Sequence, residues 1–142
     1  MEVIKAHPEN FVIELLTANG NADLLIQQAK ELQPNTVVIG DAAKWELVRD
    51  ALKDLPVKVF AGQDAISQVV QGEEIDIVLT ALVGYAGLKP TLEAIRAGKQ
   101  IALANKETLV VAGELITSLA KEKSVNIYPV DSEHSAIFQC MA

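Results

Sequence analysis

The sequence has a single cysteine, Cys140, among its 142 residues. An internal disulfide is therefore excluded, and we expect a reducing compartment in which Cys140 serves as a small apolar residue. No apolar segment reaches the roughly 20 residues of a membrane span. The first 20 residues also lack the charged start and apolar core of a signal peptide. We therefore predict a soluble, cytoplasmic protein with no membrane partner.

Clusters of basic residues are also missing from the chain. Twelve Lys and Arg stand against 19 Asp and Glu, which gives a net charge of -7. No stretch gathers the positive charge that a nucleic-acid surface or an anionic membrane would require. Half of the residues are hydrophobic, which is enough to build the core of one domain. We expect one globular unit without a nucleic-acid partner.

Short, β-rich apolar runs recur along the chain with helical patterns between them. Several runs are almost continuously apolar, which is typical of strands covered on both faces. They occupy residues 11–17, 36–40, 57–60, 75–83, 100–104 and 125–130. This alternation predicts an α/β fold over residues 1–142, a three-layer Rossmann-like doubly wound and mostly parallel sheet.

The two ends of the chain depart from this pattern. A doubly wound nucleotide domain normally opens with a strand and a Gly-rich turn that holds a pyrophosphate. Here residues 1–7 have the pattern of a helix end before Pro8, and the chain stops after residue 142 as a new helical pattern begins. We therefore predict a partial domain that lacks its first strand and Gly-rich turn.

Polar residues follow several predicted strands, where ligands bind in open parallel sheets. Asn19-Gly20-Asn21 can present backbone N–H groups and amides to an adenosine ribose or its phosphate. The same residues also suit an ordinary turn into a helix with Asn21 as its N-cap. Gly84 and Gly87 permit a close approach of the backbone to a ligand, although two glycines are weak evidence.

Two further polar segments follow apolar runs later in the chain. Asn105-Lys106-Glu107 places an amide, a cation and an anion after the run at 100–104, and the alternative is a surface ion pair between Lys106 and Glu107. In Asp131-Ser132-Glu133 an extended backbone would point both carboxylates toward one hard cation and leave Ser132 for a substrate. Two carboxylates do not complete an octahedral site, and the alternative is a helix N-cap.

The stretch LVGYAGLKPTLEAIRAGKQIALANKETLVVAG at 82–113, followed by PVDSEHSAIFQ at 129–139, resembles one family. This is the NADPH-dependent 1-deoxy-D-xylulose 5-phosphate reductoisomerases of the methylerythritol phosphate route to isoprenoids. The resemblance runs over the whole chain and is densest at 80–139. It implies rearrangement and reduction of a phosphosugar, 1-deoxy-D-xylulose 5-phosphate, to 2-C-methyl-D-erythritol 4-phosphate. It also implies NADPH and a divalent Mg, Mn or Co ion as cofactors, and a homodimer for the full-length protein.

The resemblance implies a role for each matching residue. Asp131 and Glu133 would ligate the metal, Ser132, Glu133 and Lys106 would contact the substrate, and Lys106 and Glu133 would be catalytic. Asn105 and Glu107 would line the nicotinamide end of the cofactor. Asn19, Gly20 and Asn21 would contact the ribose phosphate of adenosine. This triplet lacks the cation that many members carry, which weakens the predicted preference for NADPH over NADH.

Two other functions stay open at this point. The chain could belong to another nucleotide-dependent oxidoreductase of the same fold, or to a non-catalytic ligand-binding module in which Asp131-Ser132-Glu133 is only a cap. The resemblance places a third metal carboxylate and the substrate's phosphate site in later segments of the family. We therefore predict a fragment that holds half of an active site and is inactive alone.

Overall fold

The computed structural model describes residues 2–82, 84–104, 106–130 and 140. They fall into two compact units, Met1–Ile66 and Ser67–Ala142. Each unit contains a three-stranded parallel sheet. None of the described helices is both long enough and apolar enough to cross a membrane.

The first sheet has the strand order β1-β2-β3, and helices follow its strands. A 3-10 turn at Ala42–Lys44 precedes α3, and α4 runs across the division between the units. The elements are α1 (Glu2–Ala6), β1 (Leu15–Ala18), α2 (Ala22–Leu32), β2 (Thr36–Ile39), α3 (Trp45–Ala51), β3 (Lys58–Ala61) and α4 (Gln63–Val69).

The core of the first unit lies between one face of this sheet and helices α2 and α3. Val37 and Ile39 lie on the same face of the central strand β2, and both are fully buried. The helices contribute buried side chains with at most 4% exposure: Ala22, Leu25, Ala29, Val48 and Leu52. Full burial of a side chain such as Leu stabilises the fold by roughly 1.5–3 kcal/mol.

The second sheet has the strand order β4-β5-β6. Its elements are β4 (Ile77–Thr80), α5 (Leu88–Arg96), β5 (Gln100–Leu103), α6 (Lys106–Lys123) and β6 (Ile127–Pro129), with a 3-10 turn at Gly84–Gly87 before α5. Ile101 and Leu103 of the central strand are buried, as are Ala94 and Ile95 of α5.

One face of β4 is exposed, although the sequence predicts strands that are covered on both faces. Ile77 and Leu79 are 55% and 54% exposed. Leu79 shares its face with Ala102 and Tyr128 through the parallel ladder, and Tyr128 is also exposed. The chain moves in one direction from β4 to β6, and right-handed crossovers then put α5 and α6 on the same face of the sheet. The two helices pack against each other accordingly.

All six predicted strands are present among the described residues. The predicted run at 11–17 contributes strand only from Leu15, and Phe11 and Val12 before it are 43% and 81% exposed. The run at 75–83 is likewise strand only over Ile77–Thr80. Strand length is set by pairing with the neighbouring strand, and the ladder of β1 with β2 begins at Leu15. The parallel α/β architecture and the helix before Pro8 are confirmed.

Candidate functional site

The turns after β1, β2 and β3 lie side by side at the carboxyl edge of the first sheet. They contain Asn19-Gly20-Asn21, Gly40-Asp41 and Gly62-Gln63. Backbone pairing continues past the strands, because the N–H of Asp41 donates to the carbonyl of Asn19 at 2.7 Å and the N–H of Gly62 donates to that of Ile39 at 2.9 Å. Ligands of open parallel sheets bind at this edge, so these turns form the first candidate site.

Gly40 allows the three turns to pack directly on one another. A Cβ atom at this position would lie 2.4 Å from Gln63 Nε2, 2.8 Å from Asn19 Oδ1 and 3.0 Å from the Asn19 carbonyl. In the space that glycine leaves, Gln63 Nε2 donates a hydrogen bond to Asn19 Oδ1 at 2.6 Å. Sequence reasoning missed both Gly40 and Gln63. The hydrogen bond that Gly40 makes room for joins Asn19 and Gln63, which are 44 residues apart in the chain.

Asn21 is the N-cap of α2. Its Oδ1 accepts a hydrogen bond from the backbone N–H of Leu24 at 3.1 Å, which satisfies one of the free donors in the first turn of a helix. The predicted turn is therefore confirmed, and the side-chain oxygens of Asn19 and Asn21 both accept hydrogen bonds within the chain. The predicted contact of these residues with a cofactor stays a prediction.

Lys44 brings a positive charge to this turn from the loop after β2. Its Nζ donates to the carbonyl of Gly20 at 2.5 Å and lies 4.0 Å from Asp41 Oδ2. Asp41 in turn accepts a hydrogen bond from the N–H of Ala43 at 3.1 Å and so begins the 3-10 turn. Sequence reasoning missed Lys44 as well. The sequence feature that could have indicated it is a lysine three residues after Asp41, in the loop that follows β2.

A cavity of about 430 Å³ lies beside the turn after β1. Its lining combines residues at the start of α2, one of them a carboxylate, with one cation and one apolar residue of α3. The lining residues are Gly20, Asn21, Ala22, Asp23, Lys44 and Leu47. A cavity with a cation in its wall suits a ligand that carries an anionic group.

Trp45 follows Lys44 directly and anchors the start of α3. Its indole Nε1 donates to the carbonyl of Val59 on β3 at 3.1 Å, and the guanidinium of Arg49 lies 4.5 Å from the ring centroid. A cation over an indole ring is a favourable electrostatic contact. The residue next to Lys44 is thus held to the sheet by a hydrogen bond and covered by Arg49.

The second candidate site is the carboxyl edge of β5 and β6. The two strands pair in parallel, with Leu103 opposite Pro129, and the N–H of Val130 donates to the carbonyl of Leu103 at 3.0 Å. The N–H of Ala104 donates to the carbonyl of Thr80 on β4 at 3.1 Å. The backbone thus brings together the residues that directly precede the two predicted polar segments, 105–107 and 131–133.

The predicted residues of these two segments lie largely outside the described part of the chain. Lys106 begins α6 and Glu107 follows it, and only their backbone is described. Asn105, Asp131, Ser132 and Glu133 lie outside the described residues. Within the described ranges no group of three or more His, Cys, Asp or Glu could hold a metal ion.

A parallel α/β fold with polar turns at the carboxyl ends of its strands defines a Rossmann-like protein. The family model for 1-deoxy-D-xylulose 5-phosphate reductoisomerase matches residues 1–113 of this chain. The chain belongs to this family.

Relatives that carry this name match nearly the whole chain. The protein of Bacteroides fragilis is 60% identical over 142 residues, which are 100% of this chain and 37% of the relative. That of Porphyromonas gingivalis is 57% identical over 141 residues, 99% of this chain and 37% of the relative. The chain therefore spans a little over a third of the length of these relatives.

Solved structures of the family share the fold. The reductoisomerase from Zymomonas mobilis in complex with NADPH has a TM-score of 0.93 at 40% identity, covering 98% of this chain and 36% of that chain. A reductoisomerase in complex with NADPH, fosmidomycin and magnesium has a TM-score of 0.91 at 37% identity, covering 97% of this chain and 34% of that one. The predicted family and the Rossmann-like fold are thus confirmed.

Proposed function

We propose that this chain is the NADPH-binding part of a 1-deoxy-D-xylulose 5-phosphate reductoisomerase. The enzyme would rearrange this phosphosugar and reduce the product to 2-C-methyl-D-erythritol 4-phosphate, in the synthesis of isoprenoid precursors. The observation that carries the proposal is the 60% identity to a relative of this name over all 142 residues. The Zymomonas mobilis relative was solved with NADPH, and another relative was solved with NADPH, fosmidomycin and magnesium.

The first sheet would hold the adenosine half of the cofactor. Asn19, Gly20 and Asn21 would contact its ribose phosphate, and residues at the start of α2 line the cavity beside them together with the Lys44 cation. The ammonium group of Lys44 fits a phosphorylated nucleotide, because a cation favours an anion. When bound, NADPH supplies the hydride, and the protein fixes its orientation.

The carboxyl edge of β5 and β6 would hold the reacting end. Asn105 and Glu107 would line the nicotinamide, Lys106 and Ser132 would contact the substrate, and Asp131 and Glu133 would ligate a divalent metal. Support comes from the 3.0 Å bond between Val130 and Leu103, which joins the strands that lead into both segments.

The residue types of segments 105–107 and 131–133 fit the proposed chemistry. Carboxylate oxygens are the ligands that Mg²⁺ and Mn²⁺ prefer. Asp131 and Glu133 would hold such a cation, which would supply Lewis-acid chemistry toward the substrate oxygens. Lys106 would add a fixed positive charge beside the same oxygens, where negative charge develops.

The test is substrate-dependent oxidation of NADPH by the product of the natural gene, with Glu133→Gln as the variant. Loss of one metal-ligating carboxylate should lower kcat at least about 100-fold and raise the magnesium concentration needed for half-maximal activity. Glu114→Gln makes the same chemical change on an exposed position of α6 and should leave both values unchanged.

Two results would favour the alternative functions. NADPH binding without oxidation in the presence of 1-deoxy-D-xylulose 5-phosphate would indicate another nucleotide-dependent oxidoreductase. Unchanged magnesium affinity in Glu133→Gln would indicate that residues 131–133 form only a helix cap and that the chain is part of a binding module.

A further inference from the structure

The difference between NADPH and NADH is one phosphate on the adenosine ribose. A protein that prefers NADPH must therefore offer that phosphate an interaction that NADH cannot use. Rossmann-like domains that take NADH commonly place an Asp or Glu after the second strand of the motif, and those that take NADPH place a cation nearby. In the proposed function, β1 takes the place of that second strand. The turn after β1 contains neither an acidic residue nor a cation, because Asn19-Gly20-Asn21 is uncharged.

The structure supplies the missing cation from a neighbouring turn. Lys44 lies on the loop after β2, and its Nζ donates to the carbonyl of Gly20 at 2.5 Å. Lys44 and the start of α2 line the same cavity of about 430 Å³. The ammonium group is thus fixed beside the uncharged turn and borders the space in which a ligand of that turn would lie.

The charge of Lys44 is not consumed by a tight ion pair among the contacts described. Its nearest carboxylate oxygen, Asp41 Oδ2, is 4.0 Å away, whereas charge-assisted N–H···O bonds measure about 2.7–2.9 Å. Its close partner is the neutral carbonyl of Gly20. The side chain is 43% exposed, so an incoming anion can reach the ammonium group.

One group in the cavity wall opposes an anion. Asp23, in the first turn of α2, lines the same cavity as Lys44. Its carboxylate would repel a phosphate unless a cation lay between or beside them. Whether the cavity attracts or repels a phosphate therefore depends on Lys44, because Lys44 is the only cation among the lining residues.

We propose that Lys44 makes the protein prefer NADPH over NADH by pairing with the extra phosphate on the adenosine ribose. This inference rests on the proposed function, since it assumes that the cofactor's adenosine lies at the first sheet. It names a residue outside the Asn19-Gly20-Asn21 turn as the determinant of the preference.

The experiment measures dissociation constants of NADPH and NADH by titration calorimetry on the product of the natural gene. Lys44→Gln should weaken NADPH binding about tenfold, as expected for loss of one charge-assisted contact, and should change NADH binding less than about twofold. Lys44→Arg should keep the preference, because the guanidinium retains the charge. Lys30→Gln removes the same charge in the last turn of α2 and should change neither constant.

The outcomes separate this inference from the proposed function. If the unmodified protein binds neither nucleotide, the proposed function fails. If it prefers NADPH and Lys44→Gln leaves the ratio of the two constants unchanged, or weakens both nucleotides equally, the role of Lys44 is refuted while the proposed function stands. Should Lys44→Gln fail to fold, Lys44→Arg decides, because loss of the preference with the charge present would also refute the inference.

Discussion

Gly40 is the residue on which the packing of the first candidate site depends most directly. It follows β2 directly, and its missing side chain leaves the space in which Gln63 bonds to Asn19. Nothing in its backbone conformation demands glycine, since its φ is outside the left-handed region. The requirement is therefore one of space rather than of backbone freedom.

Replacing Gly40 by Ala should destabilise the first unit by about 1–3 kcal/mol, because the added carbon would overlap Gln63 and crowd the Asn19 backbone. Denaturant unfolding of the chain, followed by Trp45 fluorescence, reports on this unit. Gly20→Ala is the matched control, since its added carbon would meet only Lys44 Nζ at 3.9 Å. Equal stability of Gly40→Ala and the unmodified chain would show that the turns can separate without cost.

At this scale the sequence predicts local contacts and misses those between turns. The N-cap role of Asn21 could be predicted, because its partner Leu24 is three residues away. The contacts of Lys44 with Gly20 and of Gln63 with Asn19 depend on which strands are neighbours. Apolar runs reveal that strands exist but do not order them in the sheet, so Lys44 could not be assigned to the cavity beforehand.

Among the elements, α2 connects the candidate site to the core. Its first residues line the cavity, while Leu25 and Ala29 on its inner face are buried against the sheet. The helix ends where Gln33 adopts a left-handed conformation, with φ of 47°, before Pro34. Its position is therefore set by the cap at one end and by buried apolar side chains along its length.

Asn21→Ala should lower the stability of the first unit by about 1 kcal/mol, because the N–H of Leu24 loses its side-chain acceptor. The same denaturant measurement with Trp45 fluorescence checks this value. Asn10→Ala offers a matched change at an exposed asparagine, whose side chain bonds only to the neighbouring Glu9 among the contacts described, and it should have little effect. A loss in Asn10→Ala as large as in Asn21→Ala would argue against the capping role.

The sequence predicts that helix α6 exists but does not predict the break within it. Apolar spacing from Leu109 to Leu119 predicts the helix, and the helix is present. The backbone leaves helical geometry at Ala112, with φ of -141° and ψ of 30°. Gly113 follows this break, and glycine is a weak helix former. The apolar pattern gives no sign of the break, and Val110 before it is 83% exposed.

At the scale of the whole molecule, the chain corresponds to 37% of the length of its Bacteroides fragilis relative. The family and the fold could be predicted from the sequence, because the segments at 82–113 and 129–139 are specific to the reductoisomerases. The metal and substrate residues at 131–133 stay predictions, as do the homodimer and the cytoplasmic location. Each depends on contacts beyond the described residues or beyond this chain.

The purified 142-residue chain should not oxidise NADPH in the presence of 1-deoxy-D-xylulose 5-phosphate, because most of the length of its relatives has no counterpart in it. The decrease in nicotinamide absorbance measures this activity, and the full-length Bacteroides fragilis relative is the positive control. Turnover by the chain alone that is sensitive to Glu133→Gln would contradict the prediction and would place a complete catalytic apparatus within these residues.

Trp45 gives the first candidate site an optical signal of its own. It is the single tryptophan of the chain, it follows Lys44 directly, and a hydrogen bond to Val59 fixes its ring to the sheet. Indole emission responds to changes in the surroundings of the ring, so a ligand that binds beside Lys44 should change the fluorescence of Trp45. Binding at the cavity can therefore be followed on the unlabelled chain without a dye, after correction for the light that the nucleotide itself absorbs.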